Sequence, residues 1–129
     1  MPTKKIVPIK GDPNLPFSTV IRIGDQFHFS GTLPKIGQTH PVSPNIREQT
    51  KEVLDAMEDK LRLCDLTFND LYHVTIMLSG SMDNYGEVNK IYAEALKDVA
   101  AKPARKCFAV AALPFNALIE IEFEAVLQH

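Results

Sequence analysis

The tightest constraint on this chain lies near its end. Over residues 117–127, Ile119, Ile121, Phe123 and Ala125 alternate with Glu120, Glu122 and Glu124. A period of two puts the apolar set on one face of a β-strand and the three carboxylates on the other. Such a strand belongs in a sheet with one face buried. The opposite face must meet water or another subunit, and the periodicity does not say which.

The rest of the chain supplies the partners and the cover. Residues 18–23 and 26–30 read as strands joined by Gly24-Asp25, a two-residue hairpin turn with Gly supplying the positive φ. Pro34, Gly37 and Pro41 make residues 32–42 a loop. A helix then starts near Ser43-Pro44-Asn45. Asn45 with Glu48 suits a capping box, and Ser43 with Pro44 at the first helical position competes as the start. Ile46, Thr50, Val53, Leu54, Met57 and Leu61 recur at helical spacing.

Residues 71–78 form a strand rich in β-branched and aromatic side chains, buried at least on its even-numbered side. Ser81 or Asp83 caps a second helix reaching about Lys97, with Tyr85, Val88, Tyr92, Ala95 and Leu96 as its stripe. Pro103 ends any continuation. Residues 105–111 form the next strand. The order is ββαβαββ in a single domain over residues 1–129, an α+β fold with two helices on one face of a single sheet.

Composition narrows the function classes. Lys and Arg number 14 against 16 Asp and Glu, a net charge of −2, which argues against a general nucleic-acid binder. No apolar run approaches the roughly 18 residues of a membrane helix. Residues 1–5 lead into no long apolar segment, so a secretory signal is not expected. Cys64 and Cys107 make no disulfide framework, and a reducing, intracellular setting is the default. No metal-ligand spacing, phosphate-binding glycine loop or serine nucleophile elbow is present. His73, in mid-strand, reads as a packed side chain.

The informative stretch is Lys102-Pro103-Ala104-Arg105-Lys106-Cys107. A guanidinium held at the start of a strand, just after a Pro-stiffened turn, suits a planar carboxylate. By residue type alone, a solvated strand-end cation is the blander alternative. Cys107 shares the strand face of Arg105, as a site-lining thiol, a backbone amide offered to substrate, or a small core filler. Glu120 is either a carboxylate that positions water or the first of three solvated glutamates.

These residues resemble the signature of the YjgF/RidA family of reactive-intermediate deaminases. The blocks are Lys102 to Cys107, Val110-Ala111-Ala112-Leu113-Pro114 and Ile119-Glu120-Ile121-Glu122. Pro16-Phe17-Ser18, Phe29-Ser30-Gly31-Thr32-Leu33-Pro34, Glu48-Gln49-Thr50 and Tyr85-Gly86-Glu87-Val88-Asn89-Lys90-Ile91-Tyr92 agree in order. The resemblance implies a chorismate-mutase-like fold: one mixed sheet with both helices on one face. It implies a homotrimer, with sheets inside, helices outside and sites in clefts between subunits.

The implied activity is hydrolysis of 2-iminobutanoate- or 2-iminopropanoate-type enamine/imine intermediates to 2-oxo acids and ammonia, without metal or organic cofactor, in the cytoplasm or an organelle. By the same resemblance Arg105 grips the substrate carboxylate, Glu120 holds the attacking water and Cys107 offers its backbone. Ser30, Gly31 and Asn89 line the pocket. Phe17 stands where many members have Tyr, which removes a hydroxyl. Residues 32–42 lack the Asp-Pro and Gly-Glu pattern common there. Phe115-Asn116 replaces a polar residue and Gly near the mouth of the site. A translation-inhibiting endoribonuclease and a non-catalytic trimer binding small carboxylates are the competing readings.

Overall fold

The computed structural model describes residues 6–9 and 12–129. Residues 1–5, read above as leading into no secretory segment, lie outside them. The strands are β1 (Ile6–Ile9), β2 (Val20–Ile23), β3 (Gln26–Thr32), β4 (Leu71–Ser79), β5 (Ala104–Val110) and β6 (Ile119–Val126). The helices are α1 (Ile46–Leu63) and α2 (Tyr85–Ala95). All six strands join one sheet in the order β1-β2-β3-β6-β4-β5. β4 and β5 pair in parallel across the α2 crossover, and the other pairs are antiparallel, so the sheet is mixed.

The alternation of the last strand is realised in full. Ile119, Ile121, Phe123 and Ala125 are buried, and the rings of Phe29 and Phe123 stack with centroids 4.3 Å apart. Val53, Leu54, Met57 and Leu61 of α1 join Val88 and Tyr92 of α2 in the same core. Both helices therefore cover one sheet face.

The opposite face carries the glutamates. His28 lies 3.8 Å from Glu122 and 3.7 Å from Glu124, and the Tyr72 hydroxyl donates to Glu124 Oε2 at 2.7 Å.

Several local expectations need correction. β1 has no counterpart in the sequence reading, and it contains Pro8, which cannot donate to a ladder. An edge strand tolerates it, and β1 is the edge. The even-numbered rule for β4 holds for Val74, Ile76 and Leu78 but not for Tyr72, which is exposed while Leu71 is buried. The register against β6 shifts between Leu71 and His73, and this bulge turns Tyr72 toward Glu124.

Asn45, not Ser43, is the cap of α1. Its Oδ1 accepts from the amides of Arg47 at 2.8 Å and Glu48 at 3.4 Å. Ser43 Oγ takes the Asn45 amide that a capping-box glutamate would otherwise accept. Neither Ser81 nor Asp83 caps α2. The cap is Asn84, and Ser81 Oγ accepts the Asp83 amide within the preceding turn. α2 ends at Ala95, short of Lys97.

Candidate active site

The expected site residues fall into two groups on opposite faces of the sheet. Arg105 heads the first. Near the start of the edge strand β5 it points to the helix side, beneath α2. Its Nη1 donates to Asn89 Oδ1 at 2.8 Å and its Nη2 to the Tyr85 hydroxyl at 2.8 Å. The guanidinium carbon sits 4.9 Å from the Tyr92 ring centre and 5.7 Å from that of Tyr85. Tyr85, Asn89 and Tyr92 are spaced so that one helix face presents all three.

A clamp of this kind fixes the fork while using two of its five N–H donors. Among the described residues no other hydrogen-bond acceptor takes the rest, which suits them to a planar anion. Sequence reasoning assigned Tyr85 and Tyr92 to the apolar stripe and missed their second duty. The signal was available: two phenols and an amide on one helix face beside a strand that begins with Arg.

Cys107 follows on the same face and packs against the core. Burial pushes its thiol up, against the opposing pull of Arg105. A thiol that resists ionisation does not suit a nucleophile. Lys102, Arg105 and Lys106, close in sequence, do not converge into one basic cluster. Lys102 Nζ turns back to the Val99 carbonyl at 2.8 Å, and Lys106 alternates to the face opposite Arg105.

Glu120 anchors the second group. Its carboxylate rests over Gly31 of β3. A β-carbon at Gly31 would collide with Glu120 Oε2 and come within 2.9 Å of Cδ. Any larger residue at Gly31 would displace the Glu120 carboxylate from this position. Burial raises the Glu120 carboxyl above the ordinary value, Lys60 opposes that rise, and Glu122 adds to it. Glu122 and Glu124 instead flank His28. Ser30 Oγ donates to the Ser18 carbonyl at 2.6 Å, tying β3 to the segment that carries Phe17. Phe17 is 56% exposed and lines a groove of about 510 Å³ with Pro8, Leu15 and Pro16.

Arg105 and Asn89 are thus in contact, with Cys107 on the same strand face, and Glu120 lies against Gly31, while Ser30, next to Gly31, bonds the residue that follows Phe17. Within one chain the two groups do not meet. Arg105 pairs in register with Val74, three residues and one sheet face away from the Met77 position opposite Glu120 and one strand further out.

The family model described as endoribonuclease L-PSP matches residues 10–127. Reactive Intermediate Deaminase A, chloroplastic, of Arabidopsis thaliana is 38% identical over 113 residues, covering 87% of this chain. The match spans 59% of that relative's own length. The 2-iminobutanoate/2-iminopropanoate deaminase of Mus musculus is 31% identical over 114 residues, covering 86% of this chain and 81% of its own. The crystal structure of YyfA from Yersinia pestis, of the conserved Rid protein family, superposes with a TM-score of 0.82 at 31% identity, covering 97% of this chain and 100% of that one.

Proposed function

The chain belongs to the endoribonuclease L-PSP (YjgF/RidA) family, and on that basis we propose that it hydrolyses small 2-imino acids, in equilibrium with their enamines, to 2-oxo acids and ammonia. The observation that carries this reading is the clamp on Arg105. Asn89 and Tyr85 hold a guanidinium with free donors at a sheet edge, the arrangement that grips a carboxylate.

Two names among the relatives are consistent with it: reactive intermediate deaminase and 2-iminobutanoate/2-iminopropanoate deaminase. The failure of Lys102, Arg105 and Lys106 to converge weakens the ribonuclease alternative. Among the described residues no helix is long and apolar enough to cross a membrane. Cytoplasmic residence is part of the proposal, although the Arabidopsis relative is named as chloroplastic.

The reaction asks for little covalent machinery. Arg105 fixes the substrate carboxylate through two N–H donors. Glu120 orients a water and takes its proton as oxygen bonds to the imine carbon. The C=N electron pair moves to nitrogen, which takes up a proton. The resulting carbinolamine then loses ammonia as the carbon–oxygen double bond forms. A carboxyl raised by burial suits both taking and returning that proton. Orientation and charge placement carry the rest. Phe17 borders the substrate entrance, and backbone groups at Gly31 and Cys107 hold the nitrogen end.

Two half-sites on opposite faces of one sheet call for a second copy. The proposed assembly is a chorismate-mutase-like homotrimer, its glutamate-bearing faces inward, in which Arg105 of one subunit meets Glu120 of the next. The exposed Phe108 on the face away from the helices, 42% accessible, is consistent with such burial.

The test couples the protein to a pyridoxal-phosphate threonine or serine dehydratase and follows 2-oxo acid release. The protein should accelerate release, and Arg105→Ala should abolish the acceleration while leaving assembly intact. Charge-assisted hydrogen bonds contribute about 1.5 to 3 kcal/mol each, so losing two costs roughly two to four orders of magnitude. Full activity in Arg105→Ala would overturn the assignment.

A further inference from the structure

One charged side chain stands outside the reaction just proposed and yet beside it. Lys60 lies in the last turns of α1, next to the buried Leu61, and is itself half-buried. Lysine seldom gives up water without a partner. Its Nζ donates to Thr32 Oγ1 at 2.8 Å. Thr32 is 1% exposed and ends β3 opposite Ile121. The residue before Thr32 is Gly31, on which the Glu120 carboxylate rests, and the residue before Ile121 is Glu120 itself. A contiguous path therefore runs from the ammonium through the end of β3 to that carboxylate.

We infer that Lys60 is a positioning residue for Glu120. Through Thr32 it fixes the strand end against which the carboxylate lies, and it supplies the positive charge that favours the ionised form. Its bearing on turnover rests on the imine hydrolysis proposed above; the coupling between the two groups does not.

The electrostatics agree with the geometry. Burial lowers the Lys60 ammonium and Glu120 holds it up. Burial raises Glu120, Lys60 on α1 lowers it, and Glu122 on the same strand raises it again. Without the lysine, burial and Glu122 act on Glu120 unopposed by it. Less of the carboxylate is then available as a base at a given pH.

Two variants separate charge from packing. Lys60→Gln keeps a donor for Thr32 and loses the charge. Lys60→Arg keeps both. The direct readout is the titration of the Glu120 carboxyl by ¹³C NMR on the folded protein, assigned with Glu120→Gln. The second readout is the pH dependence of kcat and KM in the coupled assay. Lys60→Gln should raise the Glu120 midpoint, move the acidic limb of kcat to higher pH and leave KM unchanged. Lys60→Arg should restore both. An unchanged Glu120 titration in Lys60→Gln would overturn the inference, whatever happened to the rate. A raised titration in a protein that hydrolyses no imine would uphold the coupling and overturn the reaction instead.

Discussion

Glu120 is held at a cost to the fold. Burial raises its carboxyl from 4.5, so above that value the folded chain binds more proton than the unfolded chain until the raised midpoint is passed. Stability from this group therefore falls as pH rises through that window and stays lower above it. Glu120→Gln removes the buried charge. It should melt higher than the parent at neutral pH, and the difference should vanish below the ordinary carboxyl value. Thermal melts across that range test this, and a lower melting temperature at neutral pH would contradict it. Periodicity could not separate Glu120 from Glu122 and Glu124, because all three share one strand face. What distinguishes Glu120 is its contact with Gly31 of β3 and the charge of Lys60 on α1, both set by residues far apart in the chain. The clamp on Arg105 was closer to legible, since Tyr85, Asn89 and Tyr92 sit at helical spacing.

Elements with strong periodicity were readable: α1, α2, β4 and β6 stand where their apolar spacing puts them. The misses have local causes. The edge strand β1 contains Pro8, one bulge moves Tyr72 to the other face, and Asn84 caps α2 by backbone alone. Phe115 and Asn116 adopt φ of 58° and 60°, the left-handed region that glycine enters most freely and that Asn enters more readily than Phe. Gln49 shows how an element is fastened to the site. It is 1% exposed, yet its Nε2 donates to the Ser43 carbonyl at 2.7 Å and its Oε1 accepts the Leu118 amide at 2.9 Å. That amide adjoins Ile119 and Glu120. Gln49→Ala leaves a buried donor and acceptor unpaired and should destabilise by about 2 to 4 kcal/mol. Urea unfolding should show a lower midpoint with an unchanged slope. A loss within about 0.5 kcal/mol, the range of ordinary surface substitutions, would mean the clamp is dispensable.

At the scale of the whole molecule, the sheet separates what the reaction needs together. Arg105 faces the helices from one edge strand, and Glu120 faces the other way from the strand beyond β4. A single chain holds Arg105 and Glu120 apart, and the proposed cyclic assembly is what would join them. The most direct measurement mixes two inactive proteins. Arg105→Ala and Glu120→Ala subunits are unfolded together, refolded as an equal mixture and assayed for imine hydrolysis beside each variant alone. If each site takes Arg105 from one subunit and Glu120 from its neighbour, each variant alone is inactive. The mixture should then recover about a quarter of the parent activity, the fraction of random neighbours that pair an intact Arg105 with an intact Glu120. A mixture as inactive as its components, from material shown to form mixed assemblies, would contradict the shared site.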